Sequence, residues 1–286
     1  MPRGPQAGPA SRSAVRNGIE PARAAAHHAR MSDPFDRSFR DRTLSGDTLL
    51  GLFLDLGSPA SADLCADTGY DWLLVDLEHG AGTETDLPGM LRAVELGGPT
   101  PLVRPQSGER IRIGRTLDMG ARGIMVPRLD SADQAREAVT FLRYPPDGIR
   151  GVATRVRGAG LGVVGHADVK RLNERVVGII QIESVGGLRD ADAIAAIDGV
   201  DVLFVGPADL SHSLGIPGQF QHPDYLGALD KVVAACRAHG KAAGILVYDT
   251  AVVARHLEIG FSFVGIGSDG AFVASEAKRF LAAVRS

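Results

Sequence analysis

The 286-residue sequence has the composition of a globular protein with a sizeable core, since 44% of its residues are hydrophobic and 23% are charged. Its formal net charge of -3 excludes a global basic field that would attract nucleic acid or an acidic membrane surface. No window approaches the ~20 consecutive apolar residues that a membrane span requires. The sequence therefore predicts no nucleic-acid partner and no membrane partner, and we expect a cytoplasmic location.

Residues 1–40 differ in composition from the rest of the chain. They are rich in alanine and proline without apolar periodicity, and residues 1–30 contain five arginines but only one acid, Glu20. An arginine-rich, acid-poor start resembles an organelle transit peptide, but a disordered leader upstream of a true start at Met31 explains it more simply. We predict a disordered leader over residues 1–40 and one domain over residues 41–286.

From Asp41 onward, short apolar runs alternate with amphipathic stretches. Eight runs predict β-strands, at Leu49–Leu54, Trp72–Asp76, Pro101–Arg104, Gly123–Pro127, Val177–Ile182, Val202–Val205, Ala243–Val247 and Phe263–Ile266. Eight further stretches predict helices, at Ser61–Thr68, Asp86–Leu96, Arg110–Met119, Ser131–Leu142, Gly187–Ala196, Pro223–His239, Thr250–Glu258 and Ala271–Val284. This alternation indicates a parallel sheet covered by helices.

Eight βα units in about 240 residues match the size of a (β/α)8 barrel. A doubly wound sheet also alternates, but no Gly-x-Gly-x-x-Gly motif opens the helix after the first predicted strand. The predicted fold class is therefore α/β, a (β/α)8 TIM barrel. Residues 144–175 interrupt the alternation, and we expect this long loop over the C-terminal mouth of the barrel, as a lid or a subunit contact.

Two of the predicted strands end in a lone carboxylate. Val177–Ile182 is followed by Glu183, and Val202–Val205 is followed by Gly-Pro-Ala and then Asp209. Each acid alone is explained as a cap, Glu183 for the next helix and Asp209 for a turn with Ser211. Neighbouring parallel strands end at the same edge, and hard divalent cations prefer oxygen ligands. The pair therefore predicts a metal site.

Other strand ends deliver polar groups to the same mouth. The second predicted strand ends Asp76-Leu-Glu-His79, the third ends at Arg104, and the fifth carries Gln181. Arg104 is either a structural ion-pair partner or, if a metal occupies the acids, a group that binds a substrate carboxylate or a developing oxyanion. His79 follows two acids, a position that favours a base whose tautomer is set by a carboxylate.

These residues resemble the metal-dependent (class II) pyruvate aldolases of the HpcH/HpaI aldolase/citrate lyase family. The resemblance covers nearly everything after residue 45 and has no counterpart for the leader. It rests on six segments in the family's order, namely Trp72-Leu-Leu-Val-Asp76 with Glu78-His79, Val103-Arg104-Pro105, Gly123-Ile-Met-Val-Pro127, Arg143-Tyr-Pro-Pro-Asp-Gly-Ile-Arg-Gly151, Gln181-Ile-Glu183 and Gly206-Pro-Ala-Asp-Leu-Ser211.

The resemblance implies a carbon–carbon lyase that cleaves 4-hydroxy-2-oxo acids to pyruvate and an aldehyde. Such substrates include 4-hydroxy-2-oxoheptanedioate, from the catabolism of aromatic compounds, and 2-keto-3-deoxy sugar acids. The resemblance also implies that Glu183 and Asp209 bind a divalent cation, which is Mg²⁺, Mn²⁺, Co²⁺ or Zn²⁺.

Further roles are implied for the other residues at the mouth. Arg104 would face the keto oxygen of pyruvate, and His79 with Asp76 would handle the proton through a water molecule. Gln181 and the backbone of Ala208 would contact the pyruvate unit. All of these roles are what the family resemblance implies for this chain.

The resemblance further implies a homohexamer, a trimer of dimers, in which the last helix near Ala271–Val284 is exchanged between subunits. We expect the aldehyde to be chosen by Arg128, by residues 153–175 and by the residues after Asp209. Two alternatives remain open. One is a lyase of a coenzyme A thioester, of the citramalyl or malyl type, which needs a basic groove for the adenine phosphates. The other is a non-catalytic barrel that binds a keto acid.

Overall fold

The structure is a computed structural model that describes residues 33–285. Eight parallel strands form a closed barrel in which each strand pairs with its neighbours in chain order and β8 pairs with β1. The strands β1 to β8 are Leu49–Leu54, Trp72–Asp76, Thr100–Arg104, Gly123–Val126, Val177–Ile182, Val202–Val205, Ala242–Val247 and Phe261–Ser268. The predicted (β/α)8 barrel is confirmed, and β8 extends two residues beyond its prediction at each end.

Helices alternate with these strands. The helices α1 to α11 are Ser38–Ser45, Pro59–Ala66, Leu87–Gly97, Arg110–Asp118, Ala132–Leu142, Val185–Arg189, Ala191–Ala195, Pro207–Ser213, Pro223–Ala238, Val253–Ile259 and Asp269–Arg285. The helix predicted at 187–196 is two short helices, α6 and α7, and the short α8 directly after β6 was not predicted. None of the helices within residues 33–285 is both long and apolar enough to cross a membrane.

The barrel interior is filled by large apolar side chains. Trp72 stacks on Phe263 with ring centroids 4.6 Å apart, and Phe53 and Phe204 complete an aromatic layer above them. A Cβ atom at Gly51 would lie 1.9 Å from the Trp72 ring, so glycine is needed beside this large side chain. The aromatic layer makes the barrel a solid core, and it forms the floor of the mouth at the C-terminal ends of the strands.

Helix α1 closes the opposite, N-terminal end of the barrel. Phe39 packs edge-on against Phe263, and Arg40 donates from Nε and Nη2 to the fully buried carboxylate of Asp201. Residues 38–40, which the predicted leader includes, therefore lie in the first described helix. The rest of the leader up to residue 32, including Met31, lies outside the described residues, so the leader and the domain boundary stay predictions.

The long segment 144–175 also lies at the N-terminal end, so its predicted position over the mouth is wrong for the single chain. Arg150 pairs with Asp118 at the end of α4, with 2.8 Å between Nη2 and Oδ1. The side chain of Asn173, a residue just before β5, accepts the backbone N–H of Tyr144 and donates to its carbonyl oxygen. In a βα unit the helix runs antiparallel to its strand, so every connection from a helix to the next strand returns to this end. That residues 144–175 form a subunit contact stays a prediction.

Candidate active site

The alternation of side chains along the strands directs four polar groups into the mouth. Leu74 faces the barrel interior, so Asp76, two residues further along β2, faces inward as well. The same period of two brings Arg104 inward at the end of β3, and Gln181 and Glu183 inward at the end of β5. Three strands thus supply one cluster at the mouth.

Arg104 is held at the centre of this cluster. Its Nε and Nη2 donate to the two carboxylate oxygens of Asp76, at 2.9 and 2.6 Å. Its Nη1 donates to Gln181 Oε1 at 3.4 Å and lies 3.2 Å from Glu78 Oε2. The guanidinium also lies over the Phe53 ring, 5.4 Å from the centroid. These contacts fix Arg104 in one orientation.

Glu183 is oriented by two amide groups. Its Oε1 accepts the backbone N–H of Arg128 at 2.8 Å, and its Oε2 accepts Gln181 Nε2 at 3.0 Å. Arg128 has a φ of 50°, a left-handed conformation that is uncommon for a residue other than glycine. Residues in such sparsely populated backbone conformations cluster at active sites and ligand-binding sites.

Burial raises the pKa of Glu183, and the negative charges of Glu78 and Asp209 raise it further, against the hydrogen bond from Arg128. Burial also raises the pKa of Glu78, which lies in the turn after β2. Glu78 Oε2 is buried and accepts no hydrogen bond, although Arg104 lies close to it. The carboxylates at the mouth therefore repel one another.

Asp209 and Ala208 lie in the first turn of α8, directly after β6. Both are exposed to the cavity at the mouth. In the part of the chain that the structure describes, no donor or cationic side chain is recorded against the Asp209 carboxylate. Gly206, the residue before this helix, lies against Glu183, because a Cβ atom there would be 2.7 Å from Glu183 Oε2. The end of β6 thus brings Asp209 to the mouth, and the absence of a side chain at Gly206 leaves room for the Glu183 carboxylate.

His79 lies at the rim, with 66% of its side chain exposed. Its Nε2 is 3.9 Å from Glu78 Oε2. Asp76, which the sequence suggested as its partner, accepts the backbone N–H of His79 at 3.3 Å and uses both oxygens for Arg104. The carboxylate beside the imidazole is therefore that of Glu78, a residue whose place in the cluster the sequence reasoning missed.

The cluster carries more negative charge than positive charge. Four carboxylates, from Asp76, Glu78, Glu183 and Asp209, surround one guanidinium. Within residues 33–285, however, no group of three or more His, Cys, Asp or Glu side chains is close enough to form a complete metal site. A cation held by two carboxylates would need its remaining ligands from substrate and water, which is the usual arrangement for Mg²⁺.

A cavity of about 890 Å³ opens above the cluster. All seven residues predicted at the site line this cavity, namely Asp76, His79, Arg104, Gln181, Glu183, Ala208 and Asp209. Two lining residues that the sequence reasoning did not single out are Asp55, after β1, and Tyr248, after β7. Their positions directly after predicted strands were the available signal.

Comparisons with known proteins agree with this architecture. The chain is 41% identical over 260 residues to the 2-keto-3-deoxy-L-rhamnonate aldolase of Klebsiella pneumoniae, covering 91% of this chain and 96% of the relative. It is 41% identical to the hydroxypyruvate/pyruvate aldolase of Paraburkholderia phytofirmans, covering 88% and 99% of the two chains. The crystal structure of a family protein from Burkholderia cenocepacia has a TM-score of 0.83 and 38% identity, covering 88% of this chain and all of the other.

The model of one protein family matches residues 49–275, from the first strand of the barrel into the last helix. This match spans most of the chain and includes every residue of the cluster at the mouth. The chain belongs to the HpcH/HpaI aldolase/citrate lyase family.

Proposed function

We propose that this protein is a class II aldolase that reversibly cleaves 4-hydroxy-2-oxo acids to pyruvate and an aldehyde. The observation that carries the proposal is the cluster of mutually repelling carboxylates around one fixed guanidinium at the C-terminal ends of the strands. The names of the two relatives, which describe aldolases of 2-keto acids, support the same reaction. The family is generally dependent on a divalent metal.

The residues at the mouth fit a divalent cation. Within residues 33–285, no donor contacts the Asp209 carboxylate and the Glu183 carboxylate accepts hydrogen bonds only from two amide groups, so both keep oxygen lone pairs for a cation. A cation there would also relieve the repulsion that raises the pKa of Glu183. We propose Glu183 and Asp209 as the ligands of Mg²⁺, Mn²⁺, Co²⁺ or Zn²⁺. When bound, the metal supplies Lewis-acid stabilisation of negative charge on the substrate oxygens.

The remaining groups orient the substrate and move one proton. His79, at the water-exposed rim, accepts the proton of the C4 hydroxyl through a water molecule. The C3–C4 bond then breaks, its electron pair passes to C3 as an enolate, and C4 becomes the carbonyl carbon of the aldehyde. The proton taken from the C4 hydroxyl is returned through the water to C3, which gives pyruvate. Arg104 stabilises the enolate oxygen, and Asp76 keeps Arg104 in place. Gln181 and the backbone of Ala208 contact the pyruvate unit.

Exchange of the C3 protons of pyruvate in deuterated water tests this proposal without any knowledge of the aldehyde. We expect exchange with added Mg²⁺, no exchange in excess chelator, and recovery when metal is restored. Exchange at the full rate in chelator would refute the metal role. A protein that binds pyruvate without exchanging its protons would instead be the non-catalytic barrel.

Two sets of variants, each with a control, test the assigned residues. Glu183→Gln and Asp209→Asn should each lose Mn²⁺ binding in a calorimetric titration, whereas Glu137→Gln, an exposed acid on α5, should bind normally. His79→Ala should slow aldol cleavage by ~100-fold or more, because a general base contributes about this much. His166→Ala, in the exposed segment at the far end of the barrel, should leave the rate unchanged.

We also propose that the last helix is exchanged between subunits of a hexamer. Helix α11 has 17 residues, of which only Asp269 is buried. It exposes an apolar face to solvent, made by Phe272, Val273, Phe280, Leu281 and Val284, the last of which is 85% exposed. Several large apolar side chains exposed together on a terminal helix are typical of a subunit interface. Phe280→Asp should reduce the assembly size in light scattering, whereas Lys278→Asp on the same helix should not, and equal masses for both variants would count against the exchange.

A further inference from the structure

A second set of polar residues, Asp55, Tyr248 and Ser268, lies opposite the proposed metal ligands. Asp55 follows β1 and Tyr248 follows β7, while Ser268 ends β8. In the closed barrel three strands separate β1 from β5 on either side, so Asp55 faces Glu183 across the mouth. Asp55 and Tyr248 both line the cavity.

Asp55 is held in place at the root of α11. Its Oδ1 accepts the backbone N–H of Gly270 at 3.0 Å, and a Cβ atom at Gly270 would lie 2.3 Å from the same oxygen. The neighbouring Asp269 carboxylate is saturated, because it accepts the backbone N–H groups of Asp55, Leu56 and Gly270 and the hydroxyl of Ser61. Asp269 therefore has a structural use, whereas Asp55, which also makes side-chain hydrogen bonds with Ser268 and Asp269, lines the cavity.

Burial raises the pKa of Asp55, and the adjacent Asp269 raises it further, against a hydrogen bond with Ser268. Burial likewise raises the pKa of the Tyr248 phenol, which is influenced by the charges of Asp55, Arg104 and Asp76 and so lies near both groups of the mouth. Tyr248 is 65% exposed in the single chain, at the rim of the cavity. Its hydroxyl makes a hydrogen bond with Ser268 and, since a hydroxyl both donates and accepts, it can make a second one to a molecule bound in the cavity.

No cation in the described chain is recorded within 4.0 Å of the Asp55 carboxylate. Arg104 is committed to Asp76 and Glu78. Arg255, which lies on α10 in the outer part of the cavity, donates to Gln221. An anionic group placed beside Asp55 would therefore meet a partly buried carboxylate without a compensating charge, which is costly.

We infer that Asp55 and Tyr248 form the subsite for the aldehyde-derived half of the substrate, and that this subsite selects hydroxylated, uncharged aldehydes over aldehydes that carry a carboxylate. The inference rests on the proposed aldolase function. A carboxylate accepts hydrogen bonds from substrate hydroxyl groups, and such bonds to a charged acceptor are stronger than neutral ones. The same carboxylate repels a terminal substrate carboxylate.

The two halves of the cavity thus separate two tasks. The groups from β2, β3, β5 and β6 act on the pyruvate half, which every substrate shares. The groups from β1 and β7 contact what lies beyond C4. Residues 153–175, which the sequence suggested for choosing the aldehyde, lie at the other end of the single chain and do not line this cavity.

The test is a comparison of kcat/KM for glyceraldehyde and for succinic semialdehyde, each condensed with pyruvate by the full-length, metal-loaded protein. The wild-type protein should prefer glyceraldehyde. Asp55→Asn should reduce the ratio of the two values by ~10-fold or more, because Asn keeps an acceptor for Gly270 and loses only the charge. Asp63→Asn, which removes the same charge from the exposed side of α2, should leave the ratio unchanged.

Tyr248→Phe gives an independent measurement that does not depend on the stability of the Asp55 variant. It should lower kcat/KM for glyceraldehyde by roughly 3- to 10-fold, the loss of one hydrogen bond, and leave succinic semialdehyde almost unaffected. A wild-type protein that uses succinic semialdehyde as well as glyceraldehyde, or an Asp55→Asn variant with an unaltered ratio, would overturn the inference. Absence of exchange in the wild-type protein would instead refute the aldolase function itself.

Discussion

Replacement of Gly206 by alanine should damage metal binding without altering any proposed ligand. Gly206 has φ −92° and ψ 96°, a conformation that alanine adopts freely, so the effect is purely steric. The new Cβ atom would lie 2.7 Å from Glu183 Oε2, whereas ordinary contacts begin at 3.4 Å. The carboxylate must therefore move by about 0.7 Å, which is well beyond the ~0.2 Å tolerance of a metal–ligand distance.

The displacement would also break bonds that orient Glu183, those from the backbone of Arg128 and from Gln181. Loss of such supporting contacts typically weakens metal affinity by ~10- to 100-fold. We therefore expect a Kd for Mn²⁺ that is higher by this factor in isothermal titration calorimetry. The metal-free variant should lose about 1 kcal/mol of unfolding free energy in urea, because the side chain can turn away from the inserted methyl group.

Gly227→Ala is the matched control. Gly227 lies within α9, and a Cβ atom there meets no atom within 4 Å. The control should gain up to about 1 kcal/mol of stability from helix propensity and bind Mn²⁺ as the wild type does. If Gly206→Ala binds Mn²⁺ within threefold of the wild type while remaining folded, Glu183 is not a metal ligand that this backbone position constrains.

Three further predictions concern the site and the far end of the barrel. Because the pKa of Glu183 is raised in the folded protein above the usual value of ~4.3, protons should compete with Mn²⁺ as the pH falls, and the metal-free protein should gain stability from this group over the same pH range. A Kd for Mn²⁺ at pH ~4.3 that equals the Kd at pH 7 would contradict this. Arg104→Lys cannot reproduce the two-pronged pair with Asp76, so kcat for aldol cleavage should fall by ~100-fold, with wild-type kinetics as the contrary result. Asp201→Asn removes the buried partner of Arg40 and should cost about 3 kcal/mol in urea unfolding with little change in Mn²⁺ affinity.

Local patterns in the sequence were sufficient to predict the barrel. Each strand is a short apolar run bounded by glycine, proline or polar residues, and in each helix the apolar residues recur with a period of ~3.6. Strands and helices can therefore be predicted from local sequence, without knowledge of what they pack against in the fold. The alternation along β2, β3 and β5 also decides that Asp76, Arg104 and Gln181 face inward. Weak signals were missed, such as the seven-residue α8, whose first turn carries Asp209.

The tertiary structure decided which groups contact one another. Asp76 binds Arg104 rather than the His79 ring, and Glu78 takes the place beside the imidazole, because these pairings depend on side-chain directions across two neighbouring strands. The long segment 144–175 was assigned to the wrong end, although the antiparallel course of helix and strand in each unit already determined its position.

What the sequence by itself determined is the order of the strands and the polar group at the end of each one. The period of side chains along a strand is a local property, so it can be read from neighbouring residues. Only the closed barrel decided that Asp55 from β1 and Tyr248 from β7 share a cavity with Glu183 from β5. These residues are far apart in the chain, and it is the pairing of β8 with β1 that closes the ring and brings them to one mouth.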